Sequence, residues 1–103
     1  MPKTLTIAFT SSISAPVEVD LSGYGIAPIY KIVKAQKFIG SDATNPAKAS
    51  NLTLVNDGYL TSASPASGEI ALCDKKKVKL GDSVDDKTIL ILTVVTYDEV
   101  GLI

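Results

Sequence analysis

No histidine and no tryptophan occur in the 103-residue sequence, and cysteine occurs once. Without histidine there is no side chain whose ordinary pKa lies near neutrality, so neither a Ser–His nor a Cys–His nucleophile can be built. A single cysteine, Cys73, excludes an intrachain disulfide; following Ile70 and Leu72, it reads as a small strand or core residue. Aromatics are scarce too: Phe9, Phe38, Tyr24, Tyr30, Tyr59 and Tyr97 are all of them. The four tyrosines are scattered along the chain, a poor supply for the flat aromatic platforms a carbohydrate-binding module would need. No apolar run approaches the ~18 residues of a membrane span. The opening Met1-Pro2-Lys3-Thr4-Leu5 lacks the apolar centre of a signal peptide, so residence in a reducing cytoplasm is expected. Ten basic residues against eleven acidic ones give a net charge of −1, which steers the chain toward neither nucleic acid nor an anionic membrane.

What the chain does have is aliphatic. Hydrophobic residues make up 46% and charged residues 20%, the composition of a folded domain rather than a disordered segment. This length suits one domain, residues 1–103, with a single core built from Ile, Val, Leu and Ala. The densest apolar run, Thr88 to Tyr97, contains no Gly, Pro or charge. Its β-branched content favours a strand over a helix, and it reads as the central strand. Ile89, Ile91 and Val95 fall on one side and Leu90, Leu92 and Val94 on the other. A single core needs only one of these sides, so the other is expected to be covered by a loop, a second sheet or another subunit.

The remaining elements follow from alternation and turn chemistry. Lys3–Thr10 places Leu5, Ile7 and Phe9 inward. Val17–Leu21 places Val17, Val19 and Leu21 inward and turns Glu18 and Asp20 to water. These two strands are expected to form a hairpin. Ile29–Ile39 fits both periods imperfectly: a helix would gather Ile29, Ile32, Val33 and Gln36, whereas the favoured long strand, with a β-bulge near Lys34, carries Ile29, Val33, Ala35 and Ile39 on one face. Gly40–Ser50 reads as a loop of the kind that carries partner contacts. Asn51–Val55 and Tyr59–Thr61 flank Asn56-Asp57-Gly58, a positive-φ turn signal, and suggest a second hairpin. Glu69–Cys73 and Lys77–Leu80 flank a turn at Asp74-Lys75-Lys76. Val100-Gly101-Leu102-Ile103 is an apolar tail expected to dock on the core or on a neighbour. The expected fold is all-β: a single-domain β-sandwich or small barrel of about seven or eight antiparallel strands.

No catalytic, cofactor-binding or metal-ligating residue is nominated, and the chain reads as a non-enzyme needing no cofactor. Asp82, Asp85 and Asp86 lack EF-hand spacing and read as turn chemistry. Glu18 and Asp20, two apart on a strand, are ordinary exposed carboxylates. Lys75, Lys76, Lys77 and Lys79 form a solvated face. Gly23-Tyr24-Gly25 matches no phosphate loop. Asn51-Leu52-Thr53 matches the glycosylation tripeptide, a chance match without a secretory signal.

The leading expectation is therefore a structural or interaction protein. The alternating strand Leu5-Thr6-Ile7-Ala8-Phe9, the late strand Ile89-Leu90-Ile91-Leu92-Thr93-Val94-Val95, the small-residue loops and the missing histidine together resemble auxiliary or decoration proteins of tailed-bacteriophage heads. That resemblance implies a virion component, assembled in the host cytoplasm, that binds the capsid lattice and reinforces contacts between capsomers. Its partner would be the major capsid protein or another copy of itself. It assigns no contact residue. A tail or head-fibre subunit, or a sandwich module binding sugar or Ca²⁺, is the alternative.

Overall fold

The computed structural model describes residues 2–38 and 49–100. Eight strands run in the order β1 (Lys3–Ala8), β2 (Val17–Asp20), β3 (Ile29–Phe38), β4 (Ala49–Asn51), β5 (Thr53–Leu54), β6 (Glu69–Asp74), β7 (Lys77–Leu80) and β8 (Ile89–Thr96), followed by the single turn α1 (Tyr97–Val100). They form two four-stranded sheets, β1-β8-β3-β4 and β2-β7-β6-β5. The all-β expectation holds, in a sandwich-like arrangement. One cluster, drawing Leu5, Ile32, Leu90 and Leu92 from the first sheet and Val17, Ile70, Leu72 and Val78 from the second, forms the core between them.

The strand run at the end of the chain is central in its sheet, antiparallel to both β1 and β3. Leu90, Leu92, Val94 and Thr96 are buried, while Ile89, Ile91, Thr93 and Val95 are half-buried. β3 is one long strand, and its register slips twice against β8, between Ile29 and Lys31 and between Ile32 and Lys34. These bulges put Ile29, Ile32 and Ala35 into the core and leave Val33 exposed, so Ile32 takes the inward place that plain alternation gives to Val33. Ile39 lies outside the described residues.

Both expected hairpins give way to longer-range pairing. β1 pairs with β8 and β2 with β7, in different sheets. The linker crosses from one sheet to the other, and its Ile13 makes an isolated bridge to Val84. Val84, which the sequence places in a polar turn, is thereby buried. In the second case the turn signal is real but the turn is of another kind. Asn56, Asp57 and Gly58 all have positive φ. Three consecutive left-handed residues do not return the chain onto β5. They direct Tyr59 to a bridge with Lys31 of β3 instead. β5 pairs with β6, and it does so parallel, the exception to the antiparallel expectation. The Asp74–Lys77 turn does join β6 and β7 as a hairpin, and the Asp74 carboxylate accepts the Lys76 N–H at 3.2 Å.

The segment from Ala49 to Thr61 stitches the two sheets together along one side. β4 pairs with β3, Leu52 N–H donates to Ala35 O at 3.0 Å, β5 pairs with β6, Tyr59 returns to β3, and Thr61 N–H donates to Leu72 O at 3.0 Å. Ala49 and Ser50, expected in a loop, are thus strand residues; residues 40–48 and the tail 101–103 lie outside the described residues. On the opposite side the sheets end in β1 and β2, which have no described strand beyond them.

Candidate interaction surface

The outer faces of the two sheets differ in kind. On the second sheet the pairing register sets Glu18 opposite Lys79 and Asp20 opposite Lys77. Opposite charges facing each other across an antiparallel pair are an ordinary solvated arrangement. The expected exposure of Glu18 and Asp20 is met. Asp20 accepts the Ser22 N–H at 2.9 Å, and this bond, with the Ser22 side chain and the nearby Lys77 and Lys76, holds its pKa below the ordinary value.

The outer face of the first sheet is aliphatic and hydroxylic. Following the register from β1 to β8 to β3, Ala8 lies beside Ile89 and Phe38, Thr6 beside Ile91 and Gln36, and Thr4 beside Thr93 and Lys34. Ala49 and Asn51 of β4 extend the first two rows, and the Gln36 amide donates to Asn51 Oδ1 at 3.2 Å. The last row is Val95, Lys31 and Tyr59. Its charges are Lys31 and Lys34, and none of the strand positions named carries a carboxylate. Directly opposite residues share a face because their Cβ atoms point the same way.

Three tyrosines that the sequence scatters meet at the end of this face. Tyr30 packs edge-on against Tyr59 at 5.5 Å and against Tyr97 at 5.4 Å between ring centroids. Lys31 Nζ sits 4.6 Å from the Tyr59 ring centre and Lys75 Nζ 5.2 Å from that of Tyr97, so each outer ring carries a cation. Separations of 29 and 38 residues in sequence hide this cluster. Its cause is tertiary: the left-handed turn brings Tyr59 to β3, and the Tyr97 N–H donates to Pro28 O at 2.9 Å. Beside it, an open depression is lined by Leu60, Thr61, Ser62, Cys73, Asp74 and Lys75. Of the lysine run, Lys75 thus has a specific place, over a ring, rather than on a plain solvated face.

Around Tyr97, the run Thr96-Tyr97-Asp98-Glu99 forms one half of a capping box, the bond from the Thr96 N–H to the Glu99 carboxylate. The Thr96 N–H donates to Glu99 Oε1 at 3.2 Å, and the Thr96 hydroxyl donates to the Asp98 and Glu99 carboxylates. This Thr-x-x-Glu spacing is a legible helix-start signal.

Cys73 is half-buried. Burial, and after it the Glu18 carboxylate, raise its pKa. A thiol held protonated is a poor nucleophile. Asp82 is committed to structure: it accepts from Ser67 Oγ at 2.7 Å and from Gly68 N–H at 2.6 Å. Asp85 lies in the adjacent turn, where its carbonyl accepts the Thr88 N–H at 3.2 Å. The Asp86 N–H donates to Ser12 Oγ at 3.2 Å. Among the described residues, no His, Cys, Asp and Glu side chains gather in a group that could hold a metal ion. Gly23 and Tyr24 belong to a short 3₁₀ turn ended by Gly25, with Tyr24 exposed. Leu52 of the Asn-Leu-Thr tripeptide is a core residue. No described helix is long and apolar enough to cross a membrane.

Comparison of the chain with protein-family models, curated proteins and solved structures found no match.

Proposed function

We propose that the protein is a non-enzymatic structural protein that docks on other protein subunits through the outer face of the β1-β8-β3-β4 sheet, as a virion component bound to a capsid lattice. The observation that carries this reading is the contrast between the two outer faces. One sets acids against lysines across its strands; the other presents Ile89, Ile91, Val95 and Phe38 among threonines. A face that sets half-buried aliphatic side chains among threonines, amides and two lysines, with no carboxylate at the named strand positions, has the mixed chemistry of a protein contact.

The resemblance to phage-head decoration proteins supplies the kind of partner, the major capsid protein. Mass spectrometry of density-purified tailed-phage particles tests it. The chain should be present in a fixed ratio to the capsid protein, and adding it back to particles stripped of it should restore binding. Ile91→Lys should abolish that binding, whereas Lys79→Gln on the other face should leave it intact. Absence from the particles, or equal binding by Ile91→Lys, would defeat the reading.

The meeting of Tyr30, Tyr59 and Tyr97 favours a second reading, a module that binds a small ligand such as a sugar. Against a flat stacking platform stands the edge-on packing of Tyr30 and the lysine over each of the other two rings. A glycan array separates the readings: a saturable hit lost in Tyr59→Ala would favour the ligand module.

A further inference from the structure

We infer that β1 is a pairing edge for a second copy of this chain, the two β1 strands running antiparallel about a twofold axis through Thr6 and joining two four-stranded sheets into one. This goes beyond the docking face proposed above, because it rests on backbone groups at the sheet edge and stands whether or not the outer face binds a capsid.

The direction of the free backbone groups follows from one residue. Phe9 N–H donates to Thr88 O at 2.9 Å, and Phe9 O accepts the Lys87 N–H at 2.9 Å; both groups of Phe9 therefore face the β8 side. The β1–β8 register is continuous from Lys3 to Ala8. In an antiparallel ladder alternate residues turn both groups toward the same neighbour, so Leu5 and Ile7 face β8 with Phe9. Thr4, Thr6 and Ala8 then turn their N–H and C=O groups to the side where no described strand lies. Among the described residues this is a row of donors and acceptors without a strand partner, a template for another strand.

The other edges are blunted. Among the described residues the β4 and β5 edges are three and two residues long. β2 is four residues long and carries acids at both of its outward-facing side chains, Glu18 and Asp20. β1 is six residues long, holds no proline, and carries one charge, Lys3, which reaches Asp98 Oδ2 at 3.6 Å.

The choice of a second copy comes from self-complementarity. Directly opposite residues must share a face, and the outward groups must meet outward groups. The register that sets Thr6 against the second copy's Thr6 satisfies both conditions. Thr4 then faces the second copy's Ala8, and each of these pairs exchanges two N–H···O bonds, using every outward donor on both edges. Leu5 faces the second copy's Ile7, so the inner faces stay apolar across the junction. The two Lys3 residues lie at opposite ends of the paired strands, about 20 Å apart. Acids on β2 do not oppose the approach, since Lys79 and Lys77 stand directly across from Glu18 and Asp20.

The register makes the test specific. In a Cys73→Ala background, Thr6→Cys places two thiols at Cα positions about 5.5 Å apart, inside the range a disulfide spans. Thr4→Cys places them about 13 Å apart along the strands. Mild oxidation of the full chain should link most of Thr6→Cys into a covalent dimer and leave Thr4→Cys monomeric. Light scattering on the unmodified chain should show a dimer whose fraction rises with concentration. Thr6→Lys, an exposed position, should weaken that dimer at least about tenfold at low salt, by setting like charges opposite each other, with partial recovery in about 0.5 M salt. A monomer at every concentration up to about 1 mM (a dissociation constant weaker than ~4 kcal/mol of association), or equal cross-linking of Thr4→Cys and Thr6→Cys, would overturn the inference. Ile91→Lys should still dimerise, which keeps this outcome separate from that of the docking face.

Discussion

Gly58 lies so close to the backbone of Ile32 that a Cβ built on it would stand 2.0 Å from the Ile32 carbonyl oxygen. Its φ of +90 adds a conformational demand that an L side chain meets poorly. Both effects arise where the left-handed turn crosses β3, the junction that delivers Tyr59 to the tyrosine cluster. Gly58→Ala should therefore cost at least about 2 kcal/mol. Urea denaturation should show a lowered midpoint with an unchanged slope, and a midpoint equal to that of the unmodified protein would refute the close approach.

Neighbouring positions on β8 should behave in opposite ways. Leu92 is fully buried, and Ile91 beside it is half-buried on the outer face. Leu92→Ala should lose about 2–5 kcal/mol through lost transfer energy and a residual cavity. Ile91→Lys should change stability by no more than about 1 kcal/mol, because a lysine stem can lie along the sheet with its ammonium in water. Thermal denaturation of both variants checks the contrast, and equal losses would mean that the outer face is part of the core.

Asp82 should make part of the stability of the Ser67–Gly68 turn depend on pH. The Ser67 hydroxyl first, then the Gly68 N–H, and Lys37 from a distance hold its carboxyl below the ordinary aspartate value of 3.8. A carboxyl with a lower pKa in the folded state stabilises it fully above the unfolded value and stops doing so as pH falls through the folded one. Asp82→Asn should thus lower the urea midpoint at pH 7 and reduce the further loss on going to pH 2–3. An unchanged acid limb would show that these hydrogen bonds do not favour the ionised form.

Cys73 should react slowly. Its raised pKa leaves little thiolate at neutral pH, and the thiolate is the reactive form. Alkylation by iodoacetamide at pH 7.5 should be slower than that of a free thiol such as glutathione, and should speed up in urea. A native rate equal to the unfolded one would contradict the half-buried environment.

The site was less legible in the sequence than the fold. Alternation in Leu5-Thr6-Ile7-Ala8-Phe9 and Val17-Glu18-Val19 shows which side chains face inward, because the period of a strand is a local property of its backbone. The Thr96–Glu99 spacing is equally readable. The tyrosine cluster is not, since Tyr30, Tyr59 and Tyr97 meet only after a turn whose three positive-φ residues could equally belong to a hairpin.

The order of residues by itself determined that this chain forms short strands around an aliphatic core, and which face of β1, β2, β6 and β7 that core claims; on β8, apolar on both sides, the structure made the choice. Tertiary structure alone decided that β1 joins β8 rather than β2, that β5 runs parallel to β6, and which distant residues stand beside Ile89, Ile91 and Val95 on the outer face. The physical reason is that alternation specifies the faces of a strand but not its neighbours. Backbone N–H and C=O groups are the same in every strand, so partners are chosen by how distant segments can be packed over a shared core.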